Sequence, residues 1–281
     1  MKFVILSPSG IRTGGPEACF QLSDTLIQNG FDAEIWLVTS DDVAFLQNAL
    51  REKTRLRDLV LVVPERSNLI AEYSGYRFKP FSRCSPSDEI VFVLPEVYLG
   101  FMPFFTGMQV LVWWLSVDNA FSALSSINLN SLRTPDVRHA VQSVYAERFV
   151  SALGFESTPL TDYTVVRNIV DLPLSERPLK LALNAGPKVI SDLNALTRSI
   201  AERIPDVDIV PIVGLSQSQV SDALSTSRLF IDLGKFPGKD RMPREAIMLG
   251  TNIIIAWAGA GMHAGDFPIA EMYRARTHDL Q

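Results

Sequence analysis

The chain has 281 residues, of which 47% are hydrophobic and 20% are charged, and its formal net charge is −5. This composition is that of a globular protein, and it excludes a disordered or fibrous chain. The acidic balance also argues against nucleic acid or an anionic membrane held by a generally basic surface.

The cysteines and the apolar segments indicate a compartment. Cys19 and Cys84 are the only cysteines, too few for a disulfide framework and without metal-ligand spacing. The N-terminal apolar run is short and passes into a glycine-rich turn, which is typical of a strand rather than a signal peptide. Prolines and polar residues interrupt the apolar stretch 90–115, whereas a transmembrane helix needs about 20 apolar residues. We therefore predict a cytoplasmic protein without a transmembrane segment.

The first 38 residues have the pattern of a βαβ unit. Residues 2–6 predict a strand and residues 7–15 a loop with three glycines. A helix with one apolar face follows and ends at Gly30, and residues 31–38 predict the second strand. This order is typical of a Rossmann-like half. The loop lacks the GxGxxG fingerprint, so no nicotinamide cofactor is predicted.

Two carboxylates follow predicted strands in the first half. Glu96 comes after the strand 90–94, and Asp118 comes after the strand 109–115. In an open parallel sheet, ligands bind beyond the carboxyl ends of the strands. Each residue is therefore a candidate general base or acceptor of sugar hydroxyls, with a helix cap or a turn as the equal alternative.

The middle of the chain predicts a domain boundary. Residues 137–153 have the pattern of an amphipathic helix closed by Gly154. The prolines and charges of residues 171–178 indicate an exposed linker. We therefore predict an N-terminal domain at 1–170 and a C-terminal domain at 179–281. The alternation of strands and helices predicts an α/β fold with two Rossmann-like, doubly wound domains facing each other across a cleft.

The second half contains a charged loop between two predicted strands. Its predicted strands are 179–183, 207–213, 229–233 and 251–256. The loop 234–242 carries Lys239 and Arg241, and Pro243 fits the first turn of the helix that follows. Unpaired backbone N–H groups, the helix dipole and these cations suit a phosphate or diphosphate. Glu245, just inside the helix, is a candidate acceptor of sugar hydroxyls. The alternative is a solvated turn in which Glu245 complements the dipole.

Three sequences carry a resemblance to a known family. The GGPEA sequence, Lys188 and the PREAIMLGTNIII run together resemble the GT-B glycosyltransferases, most closely the retaining, nucleotide-sugar-dependent group 1 enzymes. The resemblance implies that Gly14 and Gly15 lie against the donor phosphates and the acceptor. It also implies that Lys188 binds the donor phosphate and that Glu245 holds the donor ribose. The implied donor is a nucleoside diphosphate sugar, with no separate cofactor and no bound metal.

The chain also departs from that family. Pro237 stands where the first glutamate of the family pair is expected. No arginine accompanies Lys188, so Lys239 or Arg241 would have to replace it. Glu96 stands at a strand end where many members have a histidine. The C-terminal domain is also shorter than in the family, which bears on catalysis more than on the fold.

The leading hypothesis is a glycosyltransferase that moves a sugar from a nucleoside diphosphate sugar to an unidentified acceptor, which could be a glycan, a lipid or a protein. One alternative is a non-catalytic nucleotide-sugar-binding or partner protein with a degenerate site. Another is a glycosyltransferase acting on nucleic acid bases, which the net charge of −5 disfavours. The three histidines are scattered, so no metal site is predicted. The patterns do not predict an oligomeric state.

Overall fold

A computed structural model describes residues 1–11, 13–64, 73–166, 172–189 and 192–276. The chain divides into two units, Met1–Tyr163 (unit 1) and Thr164–Gln281 (unit 2). Each unit has a parallel sheet flanked by helices, so the predicted α/β class with two doubly wound sheets is confirmed. The linker at 171–178 stays a prediction. Its first residue, Asp171, lies outside the described residues, and Arg177 within it is buried in unit 2, where it donates to the carbonyl oxygens of Ser227 and Leu249.

Unit 1 is built on a six-stranded parallel sheet with the order β2-β1-β5-β6-β7-β8. Its strands, with a short antiparallel pair formed by β3 and β4, are β1 (Lys2–Pro8), β2 (Asp32–Val38), β3 (Leu61–Val62), β4 (Arg83–Cys84), β5 (Ile90–Pro95), β6 (Gln109–Trp114), β7 (Val137–Val141) and β8 (Thr158–Pro159). Its α-helices are α1 (Gly14–Gln28), α2 (Ser40–Arg51), α3 (Phe121–Leu124) and α4 (Val144–Ala152). Its 3₁₀ helices are Leu56–Asp58, Glu96–Phe105, Val117–Ala120 and Leu129–Leu132.

Both faces of the unit 1 sheet are buried. Successive side chains of a strand point to opposite faces. Ile5 of β1 accordingly packs with Cys19 and Phe20 of α1, while its neighbour Val4 packs in a separate cluster with Leu46 of α2. A sheet covered on both faces needs continuous apolar strands, which is what the sequence of β1 provides.

The apolar stretch 90–115 is core rather than membrane. It forms the two predicted strands, β5 and β6, and the connection between them is the 3₁₀ helix Glu96–Phe105. In the FMPFF sequence at 101–105, Phe104 and Phe105 have no exposed surface, so these two rings pack in the core. None of the helices in the described part of the chain is both long and apolar enough to cross a membrane.

The predicted helix at 137–153 is wrong. Val137–Val141 is strand β7, paired with β6, and the helix α4 begins only after Ser143, whose hydroxyl accepts from the backbone N–H of Ala146. The apolar residues of this segment fit both the two-residue period of a strand and the 3.6-residue period of a helix. Pairing with a neighbouring strand decided between them. Gly154 does close α4, with a φ of 78°.

Unit 2 is built on a five-stranded parallel sheet with the order β10-β9-β11-β12-β13. Its strands are β9 (Lys180–Asn184), β10 (Asp208–Ile212), β11 (Leu229–Asp232), β12 (Asn252–Ala256) and β13 (Arg274–Ala275). Its α-helices are α5 (Leu193–Arg203), α6 (Gln217–Thr226) and α7 (Arg241–Met248), and its 3₁₀ helices are Leu174–Glu176, Gly259–Met262 and Glu271–Tyr273. The four strands predicted for the second half are therefore confirmed.

The strand order defines one special edge in each unit. In unit 2 the chain runs from β9 to β10 on one side and then crosses to β11 on the other side. The chain therefore leaves β9 and β11 toward opposite sides of the sheet, and in this class of fold the crevice at the carboxyl ends of two such strands is the usual ligand site. The same order places a crevice between β1 and β5 in unit 1. These two edges are where the fold favours a ligand.

Candidate functional site

The crevice of unit 2 is bordered by two loops that are hydrogen-bonded to each other. The backbone N–H of Lys235, after β11, donates to the carbonyl oxygen of Lys188, after β9, at 3.2 Å. Val189 and Gly234 form an isolated antiparallel bridge beside it. The loop that carries Lys188 is thus fixed to the loop that leads into α7.

A buried pair, Asn184 and Asp232, lies at the base of this crevice. Oδ1 of Asp232 accepts from Nδ2 of Asn184 at 2.8 Å and from the N–H of Gly234 at 3.0 Å. Oδ1 of Asn184 in turn accepts from the N–H of Gly186 at 3.0 Å. The two side chains therefore join the ends of β9 and β11 and fix the first turn of each loop.

Burial changes the acidity of Asp232. The pKa of Asp232 is raised from 3.8 to about 6, mainly because the side chain is removed from water and also because the carboxylate of Asp240 is near. The hydrogen bond from Asn184 and the charge of Lys188 oppose the rise. A perturbed acid in a crevice at strand ends is a candidate functional residue. Sequence reasoning missed Asp232, although an acidic residue inside the apolar run LFIDL is an available signal for it.

Lys188 lies beside the start of α7, as the diphosphate hypothesis requires. Its Nζ is 3.0 Å from Oδ1 of Asp240, and its side chain is 55% exposed. Asp240 is the N-cap residue of α7, but its side chain makes no capping hydrogen bond. The carboxylate of Asp240 thus occupies the position of an anion beside Lys188 and the positive end of the helix dipole.

Arg241 and Glu245 form an ion pair within α7. Nη2 of Arg241 is 2.7 Å from Oε1 of Glu245, and only 8% of the Glu245 side chain is exposed. Pro243 is the third residue of α7, so it lies in the first turn as predicted. The roles of Glu245 as ribose acceptor or dipole partner stay predictions, and the structure adds a third role, which is to orient Arg241.

Lys239 and Arg244 shape the turn before α7. The guanidinium of Arg244 donates to the carbonyl oxygens of Lys239 at 2.9 Å and of Asp240 at 3.3 Å. The turn is thereby held against the helix that it precedes. Of the residues predicted for donor binding, the structure brings Lys188, Lys239, Arg241 and Glu245 to the loop and first turns of α7.

The remaining predicted donor-binding residues, Gly14 and Gly15, lie in unit 1. They are the first two residues of α1 and not part of a loop, because the first turn of a helix has free N–H groups and tolerates the Pro16 that follows. A Cβ at Gly15 would meet only Cδ1 of Leu115, at 3.9 Å. The space beside Gly15 is therefore open.

Glu96 is buried at the same edge of unit 1. Its Oε2 accepts from the N–H of Leu115 at 2.9 Å, and its Oε1 accepts from Nδ2 of Asn119 at 3.1 Å. Burial raises the pKa of Glu96, and these hydrogen bonds oppose the rise. The carboxylate thus ties the end of β5 to residues 115–119.

Asp118 is half-buried in the 3₁₀ helix Val117–Ala120, adjacent to the Asn119 that Glu96 holds.

Neither a reactive thiol nor a metal site accompanies these two acids among the described residues. The pKa of the buried Cys19 thiol is raised to about 12 by burial and by the charge of Glu96, so this thiol is not a nucleophile. Within the described ranges, no three His, Cys, Asp or Glu side chains are arranged to hold a metal ion. The catalytic roles of Glu96 and Asp118 stay predictions.

No family model matches the chain, and no curated protein matches it. Several solved structures are similar. An alpha-glucosyltransferase in complex with UDP and a 13-mer DNA containing a HMU base is 10% identical over 91% of this chain and 79% of its own, with a TM-score of 0.46. WaaG, a glycosyltransferase involved in lipopolysaccharide biosynthesis, is 10% identical over 99% of this chain and 88% of its own, with a TM-score of 0.49.

A third similar structure is an ABC transporter periplasmic solute binding protein from Actinobacillus succinogenes 130z with bound D-allose. It is 11% identical over 91% of this chain and 78% of its own, with a TM-score of 0.28. The doubly wound fold of each unit is shown by its own parallel strand order, and the two sites rest on this chain's own residues.

Proposed function

We propose that the chain is a glycosyltransferase that moves a sugar from a nucleoside diphosphate sugar to an acceptor, and that unit 2 binds the donor. One observation carries the proposal. Lys188 and the positive end of α7 meet at the carboxyl ends of β9 and β11, the crevice that the strand order opens. The resemblance of the PREAIMLGTNIII sequence to GT-B enzymes supports the same assignment.

The contacts at this edge suit exchange of one anion for another. Lys188 now pairs with the carboxylate of Asp240, and both side chains are partly exposed. A diphosphate can take the place of that carboxylate, since it offers more charge and more acceptor oxygens. Lys239 and Arg241, in the same loop and first turn, would add cationic donors. Glu245 would hold Arg241 in place, or accept the ribose hydroxyls, when the donor is bound.

The transfer itself breaks the bond between the anomeric carbon and the diphosphate oxygen and forms a bond from that carbon to an acceptor oxygen. Negative charge develops on the departing diphosphate, where Lys188 and the helix dipole would stabilise it. The acceptor hydroxyl loses its proton to a base, for which Glu96 and Asp118 of unit 1 are our candidates. Both oxygens of Glu96 are already hydrogen-bonded, so Asp118 is the more available of the two.

The remaining features of the proposal concern partners and location. The donor is a substrate, and the reaction as proposed uses no separate cofactor. The acceptor class is a glycan, a lipid or a protein, and a nucleic acid is disfavoured by the net charge of −5. A cytoplasmic location is part of the proposal, motivated by the two free, buried cysteines.

Calorimetric titration with uridine and guanosine diphosphates tests the donor site. Lys188→Ala removes the cation beside α7, so we expect the affinity for a diphosphate to fall about ten- to a hundredfold. Lys180→Ala is a matched control. Lys180 begins β9, the strand that precedes Lys188, at the end away from the proposed donor site, and its side chain donates to Thr226. That variant should bind as the unchanged protein does. If the unchanged protein binds no nucleoside diphosphate at millimolar concentration, the proposed function is wrong.

One observation favours a second candidate, a nucleotide-sugar-binding protein without turnover. The position of the expected first glutamate is occupied by Pro237, a buried residue with no side-chain polar group. Release of free or transferred sugar, measured with acceptor extracts present, separates the two functions. Donor binding without any turnover would support this second candidate.

A further inference from the structure

Asp232 is the charged residue of the unit 2 crevice that the proposed diphosphate site does not use. Only 2% of its surface is exposed. Both of its hydrogen bonds, from Asn184 and from Gly234, are accepted by Oδ1. No described residue donates a hydrogen bond to Oδ2, so the acceptor capacity of this oxygen is unused.

The structural role of Asp232 does not need its charge. An asparagine at this position could accept the same two hydrogen bonds through its amide oxygen. A carboxylate costs more than an amide in a buried site, because it must be removed from water with its charge. The charged side chain is therefore explained by its free oxygen and not by the contacts that it already makes.

The chemistry of Oδ2 restricts what can bind there. An ionised carboxylate only accepts hydrogen bonds, and it repels phosphate oxygens. Its electrostatic neighbours, Lys188 and Asp240, belong to the proposed diphosphate site. The crevice thus has a cationic part suited to the diphosphate and, beside it, an anionic part suited to a hydroxyl donor. In a nucleoside diphosphate sugar, the ribose and the sugar attached to the diphosphate both carry hydroxyl groups. Glu245 is the candidate partner of the ribose hydroxyls, which leaves the sugar hydroxyls for Asp232.

Building on the proposed function, we propose that Oδ2 of Asp232 accepts a hydrogen bond from a hydroxyl group of the donor sugar. Asp232 is then a residue that selects sugar nucleotides over bare nucleoside diphosphates. Asn184 is a positioning residue, since it holds Oδ1 and leaves Oδ2 directed to the ligand. This assignment is separate from Lys188, which binds the diphosphate.

The test compares each nucleoside diphosphate with its sugar derivatives on the full chain. The ligands are uridine diphosphate with UDP-glucose, UDP-galactose and UDP-N-acetylglucosamine, and guanosine diphosphate with GDP-mannose, titrated at pH 7.5 in EDTA. For at least one of these sugars, the unchanged protein should bind the sugar nucleotide more tightly than the bare diphosphate. Asp232→Asn should reduce that ratio about tenfold or more, since a charge-assisted hydrogen bond is lost. Its affinity for the bare diphosphate should stay the same or rise.

Asn184→Ala is the control for a purely structural effect. It removes the hydrogen bond that holds Oδ1 and leaves the charge of Asp232 in place, so the preference for the sugar nucleotide should fall less than in Asp232→Asn. A loss through loop disorder alone would instead appear equally for bare and sugar-bearing ligands. Thermal melts of each variant establish that the protein is folded.

Four outcomes overturn the proposal. They are no preference of the unchanged protein for any sugar nucleotide, no change in Asp232→Asn, an equal loss for bare and sugar-bearing ligands, and a loss that appears only when Mg²⁺ replaces EDTA. The last would make Asp232 a cation ligand. Failure of the unchanged protein to bind either diphosphate would instead reject the donor site itself, so the two failures are distinguishable.

Discussion

Glu96 of unit 1 and Asp232 of unit 2 occupy equivalent places in their sheets. Each lies at the carboxyl end of the strand, β5 or β11, that neighbours the first strand of its unit across the crevice. Both carboxylates are 2% exposed, and burial raises the pKa of both. They differ in their hydrogen bonds. Glu96 accepts through both oxygens, whereas Asp232 accepts through one.

If Asp232 binds the donor sugar as proposed, this difference is what separates it from an acid that only holds its own unit together. Position in the fold, burial and charge are the same for the two residues, so none of them distinguishes the roles. The unused acceptor capacity does. Three sets of variants test the comparison between the two units, first at Glu96, then at Asp232, and last at one glycine of each unit.

The largest expected effect is on Glu96. Glu96→Ala leaves the buried N–H of Leu115 without a partner and releases Asn119, so we expect a loss of about 2 to 4 kcal/mol in the free energy of unfolding. Urea unfolding measures it. Asp118→Ala, in the adjacent 3₁₀ helix, should cost less than about 1 kcal/mol. Equal losses in the two variants would show that Glu96 is not the structural anchor of residues 115–119.

The second expected effect has the opposite sign. The pKa of Asp232 is raised from 3.8 to about 6 in the folded chain. The folded state therefore binds a proton more tightly than the unfolded state, and stability falls as the pH rises between these two values. Asp232→Asn removes this dependence. The variant should match the unchanged protein near pH 4 and exceed it by up to about 3 kcal/mol above pH 6.

Urea unfolding at a series of pH values measures this gain, with Asp208→Asn as the control. Asp208 is an exposed acid at the start of β10 in the same sheet, so its replacement controls for the loss of one carboxylate. A variant at Asp232 that is less stable than the unchanged protein at pH 7 would mean that its charge contributes to folding, as a structural acid would.

The smallest expected effects distinguish Gly234, beside Asp232, from Gly15, at the start of α1. A Cβ at Gly234 would lie 2.9 Å from Oδ1 of Asp232, so Gly234→Ala should cost about 1 to 2 kcal/mol of stability. Gly15 lies in α1, and a Cβ there would meet only Cδ1 of Leu115, at 3.9 Å. Gly15→Ala should therefore raise stability by about 0.4 to 1 kcal/mol. Thermal melts measure both stability changes. A change of the same sign in the two variants would contradict the difference in the space around the two glycines.

Much of the fold could be predicted from the sequence because its strands are short apolar runs bounded by turns. The strands at the start of each unit and the helix after Pro243 were placed within one or two residues. The segment 137–153 was not, because its apolar residues fit two periods, and a strand gains its hydrogen bonds only from a neighbour distant in sequence. Gly14 and Gly15 were assigned to a loop for a related reason, since glycine is a poor helix former except in the first turn.

The candidate site was also predictable only in part from the sequence. Lys239, Arg241 and Glu245 were predicted from the sequence, because cations next to a helix start form a local pattern, and Lys188 was predicted from the family resemblance. Their roles stay predictions. The sequence could not show that Lys188 pairs with Asp240 or that Asn184 reaches Asp232. Residues 184 and 232 are joined only because β9 and β11 are neighbours in the sheet.

The sequence by itself determined the class of the fold, the order of most strands and helices, and the cationic character of the loop before α7. These depend on residue type, apolar period and turn residues, which act over a few positions. Tertiary structure decided which strand ends meet. Among the described residues, it thereby decided that the buried acid Glu96 accepts hydrogen bonds through both oxygens and Asp232 through one. The physical reason is that hydrogen-bond satisfaction and desolvation depend on neighbours brought together by folding, and these neighbours are far apart in the chain.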